Sequence, residues 1–178
     1  SVESQFNPEE DLKSLIEVLK AIYAEKALEF HIEAPRDLIV YDHQDMVELV
    51  GNLLDNASKW ARHTVSLSID NSRALRIRVE DDGPGIPPEI ARRIFDPFFT
   101  TKEVGQGTGL GLTISDRLVS LMGGRMEITS EEGRGSCFRF TAQVGLSSTP
   151  CWRRIQKLEP PHQGLDSGKV CFILSRCL

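Results

Sequence analysis

One line of polar residues between positions 48 and 63 could do chemistry: Glu48, Asn52, Asn56, Lys59 and His63, recurring at helical three- and four-residue steps. A solvated helix face would give the same spacing. Asparagine, however, is a mediocre helix former whose side chain competes for the backbone. Two asparagines one turn apart offer neutral amide oxygens and donors, suited to a hard cation and its anionic ligand. A second candidate is Asp81, at the end of an alternating run in which Leu75, Ile77 and Val79 point one way and Arg76, Arg78 and Glu80 the other. Continued by one step, that period turns the Asp81 carboxylate inward, where it needs hydrogen-bond donors. If the strand stops earlier, Asp81 is a turn residue instead. Two glycine-rich stretches follow. Asp82-Gly83-Pro84-Gly85-Ile86 permits a tight turn in which backbone approaches a ligand. Gly107-Thr108-Gly109-Leu110-Gly111-Leu112 feeds a helix whose N-terminus would be a ready anion site. That loop fits neither the G-x-x-x-x-G-K-[ST] phosphate loop nor a G-x-G-x-x-G following a strand.

The elements that must position these groups follow in order. Asn7-Pro8-Glu9-Glu10 is a helix start, and Leu12, Leu15, Ile16, Leu19, Ile22 and Tyr23 carry the helix to about Lys26. Extended pieces are expected around Leu28, Phe30 and Ile32 and again at residues 38–41. The asparagine helix spans roughly residues 43–62, with Met46, Val50, Leu53, Ala57 and either Trp60 or Ala61 facing the core. Val65, Leu67 and Ile69 alternate as a strand, and Asp70-Asn71-Ser72 turns it into the next. A short helix is expected at residues 89–94. Phe95-Asp96-Pro97-Phe98-Phe99 then reads either as an aromatic hinge for a mobile connection or as a packed surface loop. The later helix shows Leu110, Ile114, Leu118 and Leu121 on one side and stops at Gly123-Gly124. Met126 and Ile128 begin a strand, and Phe138, Phe140, Ala142 and Val144 form the last inward row, with Cys137 on its other side.

The bulk properties narrow the classes. The chain has 178 residues, 40% apolar and 26% charged, as a globular domain with an appendage would. A net charge of −5 without a basic stripe argues against a nucleic-acid surface. No apolar run approaches the roughly 18 residues of a membrane span, and the first residues show no secretory signal. The four cysteines fit neither a zinc site nor a disulfide framework and read as reduced thiols of a cytoplasmic protein. Residues 1–145 form the expected domain. Residues 146–178, interrupted by prolines and glycines, read as a linker or a C-terminal extension, disorder included.

Four blocks in this order resemble the catalytic ATP-binding domain of the sensor histidine kinases, within the GHKL ATPase superfamily. Residues 52–59 resemble the N-box, 81–85 the G1 box D-x-G-x-G, 95–99 the F-box and 107–112 the G2 box, and Gly133-Arg134-Gly135-Ser136 is similar to the last glycine turn. The resemblance implies an α+β two-layer sandwich, with a mixed sheet of about five strands and three helices on one face. It implies ATP and Mg²⁺ as cofactors. Asn56 would hold the metal, Asn52 and Lys59 would lie along the phosphates, and these three would carry catalysis. Asp81 would accept from the adenine amino group, while Gly83 and Gly85 let backbone close around the base. Trp60 stands where the family usually has Tyr or Phe beside the nucleotide. Residues 96–106 would be the ATP lid, with Gly107, Gly109 and Gly111 clearing space. Ile86, Phe95, Lys102, Thr108, Leu110 and Leu112 complete the implied nucleotide-binding set.

Hydrolytic members of the superfamily place a water-activating glutamate where this chain has Asn52, an amide that cannot act as a base. Transfer to a protein acceptor is therefore expected. His31, His43, His63 and His162 do not stand in the family's phosphoacceptor context. The chain is thus expected to be a fragment or a split catalytic subunit whose parent could be membrane-anchored. Its expected partners are a dimerisation domain that carries the phosphorylated histidine and, downstream, a response regulator. A serine-kinase anti-sigma factor and a non-catalytic ATP-dependent interaction module of the same fold are the alternatives.

Overall fold

A computed structural model of the chain describes residues 5–37, 39–101 and 109–142. The elements are β1 (Gln5–Phe6), α1 (Pro8–Ile22), β2 (Glu29–Glu33), β3 (Ile39–Asp42), α2 (His43–Trp60), β4 (Thr64–Asp70), β5 (Leu75–Asp81), α3 (Pro88–Ala91), α4 (Gly111–Leu121), β6 (Arg125–Glu131) and β7 (Gly135–Ala142). The main sheet has five strands in the order β2-β4-β5-β7-β6. Only the β2–β4 pair is parallel, so the sheet is mixed as expected. The extended piece at 39–42 does not join this sheet. It pairs with β1 in a separate two-stranded ribbon, because Asp42 ends it at once by capping α2 through Gln44 N (3.0 Å) and Asp45 N (3.2 Å).

Period-two alternation puts Val65, Leu67 and Ile69 of β4, Leu75, Ile77 and Val79 of β5, and Phe138, Phe140 and Ala142 of β7 on one buried face. Helices α2 and α4 cover that face, and α1 packs on α2. Each fully buried large side chain there contributes about 1.5–3 kcal/mol. Asn7 caps α1, accepting from Glu9 N (3.1 Å) and Glu10 N (3.4 Å). The helix stops at Ile22 rather than running on to Lys26, and a 3₁₀ turn, Ala24–Lys26, takes its place. In the β4–β5 hairpin, Ser72 N donates to Asp70 Oδ1 (2.9 Å). Gly123 takes φ +71° after α4, the left-handed stop that the glycine pair foretold.

One alternative is decided and two local expectations need correction. Of Trp60 and Ala61, Ala61 completes the buried stripe of α2, leaving Trp60 43% exposed. The buried side of α4 is Ser115, Leu118, Val119 and Met122, rotated from the expected leucine row so that a serine enters the core. The short helix after β5 is one turn, Pro88–Ala91, and does not reach Ile94. Val144 and the proposed extension at 146–178 lie outside the described residues.

Candidate functional site

The strand carrying Asp81 runs to that residue, and its carboxylate is buried on the inward side, between Val65 of β4 and Ser136 of β7. The turn alternative is therefore excluded. Oδ1 accepts from Gly83 N (2.9 Å). Burial pushes the Asp81 carboxyl above the usual carboxylate range, and Asp82 adds to that, while the Gly83 and Ser136 amides and Lys26 oppose it.

Connectivity puts the other candidates at the same end of the sheet. Helix α2 runs toward β4, whose first residues lie opposite Asp81, so its last turn arrives beside the end of β5. Helix α4 leads through Gly123-Gly124 into the far end of β6, so its N-terminus lies at the near end. The contact is close. A Cβ added to Gly83 would stand 2.5 Å from Trp60 O and 2.6 Å from Asp81 Oδ1, so only glycine fits between α2 and the carboxylate. Asp82 fixes the same junction, accepting from Arg62 N (2.8 Å) and His63 N (3.0 Å). Its carboxyl is held below the usual range: partial burial opposes ionisation, but the amides of His63, Thr64 and Arg62 together outweigh it. On the other side, Ile86 N donates to Ser130 Oγ (2.7 Å) and Gly133 N to Pro84 O (2.7 Å), which staple the turn through Gly85 to the β6–β7 hairpin.

Asn52, Asn56 and Lys59 lie half-buried along α2. Asn52 Nδ2 donates a long hydrogen bond to Ser115 Oγ on α4 (3.5 Å), which leaves its carbonyl oxygen as the end of the amide turned away from that bond. Glu48 lies one turn further back. Its Oε1 is buried without a hydrogen-bond partner among the described residues, and burial, with Asp45 second, raises its carboxyl above the usual range.

At the start of α4, Leu110 in the N-cap position supplies no side-chain hydrogen bond. At Gly111, no atom of the described residues lies within 4 Å of where its Cβ would be. Among the described residues nothing demands glycine there, whereas a ligand at the helix end would. Gly109 differs: at φ +65°, with Phe98 and Phe99 backbone 2.6 Å from a would-be Cβ, it is required by the fold itself. Thr113 Oγ1 donates to Phe95 O (3.1 Å), which ties half-buried Phe95 to the same helix. Leu110 and Leu112 are half-buried beside these groups. Lys102, Gly107 and Thr108 lie outside the described residues, as does the 102–106 part of the expected lid at 96–106. A groove of about 700 Å³ lies elsewhere, between α1 and the end of β2, and is lined by Leu12, Ile16, Ile32 and Pro35 with charged rims. None of the candidate residues lines it. Chemistry at the α2–β5–α4 end outweighs that groove's size.

Sequence reasoning missed Asp82 and Ser115 as supports. It also missed Lys26, whose ammonium donates to the carbonyls of Ser58 (3.1 Å), Lys59 and Ala61 (3.1 Å). A basic residue three positions before a strand carries no signal of its own.

The profile of the family described as histidine kinase-, DNA gyrase B-, and HSP90-like ATPase matches residues 41–146. The chain is 35% identical over 127 residues to the sensor protein kinase CarS of Pseudomonas aeruginosa, covering 70% of this chain and 28% of CarS. It is 33% identical over 164 residues to the adaptive-response sensory kinase SasA of Parasynechococcus marenigrum, covering 84% and 43%. To the aerobic respiration control sensor protein ArcB of Escherichia coli it is 35% identical over 138 residues, covering 71% and 18%. The chain thus spans less than half the length of these curated relatives. Among solved structures it is similar to the catalytic domain of histidine kinase ThkA, with a TM-score of 0.67 at 28% identity over 79% of this chain and 94% of that one. It is also similar to full-length ShkA in complex with AMPPNP, with a TM-score of 0.66 at 30% identity over 78% and 30%. With an inward carboxylate, an asparagine helix and a glycine-led helix end meeting at one end of the sheet, the chain belongs to the histidine kinase-, DNA gyrase B-, and HSP90-like ATPase family and carries its ATP-binding domain.

Proposed function

We propose that this chain is the phosphoryl-donating domain of a sensor histidine kinase, which binds MgATP and passes the γ-phosphate to a histidine on a separate dimerisation domain. The observation that carries this reading is the meeting of Asp81, the end of α2 and the side-chain-uncapped start of α4 at one end of the sheet. The residues present fit both groups. Asp81 offers an acceptor of fixed orientation for the adenine amino group, and Gly83 and Gly85 bring backbone close to the base, flanked by Trp60 and Ile86. Gly111 leaves room at a positive helix end for phosphate oxygens. Asn56 supplies the amide oxygen for Mg²⁺, a cation that takes few protein ligands and keeps several waters. When bound, magnesium would supply neutralisation of the phosphate charge.

The chain's own residues position and neutralise, which is most of what phosphoryl transfer requires. Asn52, steadied by Ser115, and Lys59 lie along the phosphates; Phe95, Leu110 and Leu112 frame the pocket, and Lys102, Gly107 and Thr108 belong to the same proposed set. Asn52 offers no base to activate water, which favours transfer over hydrolysis. Relatives named as sensor kinases support a dimerisation domain and a response regulator as partners. No helix among the described residues is long and apolar enough to cross a membrane. Placement in the cytoplasm, where ATP is abundant, belongs to the same proposal.

The test supplies dimerisation domains of the relatives in trans with labelled ATP. An acid-labile label on the supplied domain supports histidine transfer. An acid-stable label would point to a serine kinase, and ATP binding without any label to an interaction module.

A further inference from the structure

Lys26 stands on the 3₁₀ turn after α1, far in sequence from every glycine box, yet all three of its ammonium donors end on the last turn of α2: Ser58 O at 3.1 Å, Lys59 O, and Ala61 O at 3.1 Å. Terminal helix carbonyls lack intrahelical partners, and a cation there also suits the dipole. The Lys26 ammonium lies 5.6 Å from the centre of the Tyr23 ring, and Tyr23 Oη donates to Asp55 Oδ1 (2.8 Å) on α2, so a second tether to the same helix stands beside the lysine. The turn so held is the one whose Trp60 carbonyl abuts Gly83.

We propose that Lys26 is a positioning residue of the adenine subsite: its ammonium ties the last turn of α2, and Trp60 with it, against the turn that carries Asp81 and Gly83. This rests on the reading that Asp81 receives adenine. A second effect acts in the same direction. The charged groups that bear on Asp81 are Asp82, which disfavours its carboxylate, and Lys26, which favours it. Its cross-strand neighbours, Val65 and Ser136, carry no charge. Lys26 thus supplies both geometry and ionisation to the acceptor. A helix cap alone would supply neither to a ligand.

The experiment titrates the full chain with ATP and with adenosine, as wild type, Lys26→Met, Lys26→Gln, Lys26→Arg and Asp81→Asn, over a range of pH. Lys26→Met is expected to weaken both ligands by a similar factor, about tenfold, because the loss lies at the base end. Lys26→Gln keeps donors without charge. It should fold even where the methionine variant does not, and should move the acid limb of binding to higher pH. Lys26→Arg should restore the wild-type limb. Folded Lys26→Met and Lys26→Gln proteins that bind as wild type, with an unmoved acid limb, would overturn the proposal even if their unfolding midpoints fall. If Asp81→Asn binds adenosine normally, the adenine reading itself fails and takes this inference with it. Loss in Asp81→Asn alone sinks Lys26 but spares the site.

Discussion

The carbonyl oxygen of Trp60 lies 2.5 Å from the point that a Cβ on Gly83 would occupy. The end of the asparagine helix and the turn after the Asp81 strand therefore touch backbone to backbone. Gly83→Ala must part them, with overpacking costing about 1–3 kcal/mol. A urea melt should show that loss, and the folded protein should bind ATP poorly because Asp81 and α2 have separated. Unchanged affinity in a destabilised variant would break the link between this contact and the site.

The raised Asp81 carboxyl gives nucleotide binding an acid limb. The acceptor needs the carboxylate, so affinity should climb as pH rises from about 4, the ordinary aspartate range, through the higher value that burial imposes, and then level off. Stability runs the other way over that window: the folded state holds the proton more tightly, so unfolding becomes easier as pH rises through it. Binding isotherms and urea melts on the same samples should therefore show opposite slopes.

Glu48 tests whether the carboxylate behind the asparagines is chemical or merely costly. Its folded value is raised, chiefly by burial, so the folded state loses stability as pH rises from the unfolded glutamate value through the folded one. Glu48→Gln removes that loss. The variant should be more stable than wild type at pH 7, with the difference fading below about pH 4, and phosphate release should not change. A drop in turnover with intact ATP affinity would give Glu48 a role that this account denies it.

Tyr23 and Asp55 tie the end of α1 to α2 without placing a charge that bears on Asp81. Burial, with the Asp55 hydrogen bond second, pushes the Tyr23 hydroxyl well above its usual range. Tyr23→Phe should cost about 1–2 kcal/mol in a denaturant melt and leave the acid limb of ATP binding where it was.

The sequence revealed what periodicity and residue type encode. Alternation at 75–81 placed Asp81 inward, Asn7 announced α1, and the apolar stripe of α2 was complete apart from the choice between Trp60 and Ala61. Supports made to backbone were illegible. Lys26 answers carbonyls 32 to 35 residues away, which carry no residue type to read. Asp82 answers amides 19 and 20 residues back for the same reason. Ser115 was passed over because a leucine row looked like the better core face, and only the position of Asn52 shows why a hydroxyl belongs there. The partner of β3 was likewise hidden, since a four-residue extended piece fits a ribbon as well as a sheet.

Titrating the chain with a fluorescent ATP analogue, with magnesium and with chelator, tests the central claim most directly. The account predicts saturable binding that tightens with magnesium, loses that gain in Asn56→Ala and collapses in Asp81→Asn. Binding that ignores magnesium and survives Asp81→Asn would contradict it.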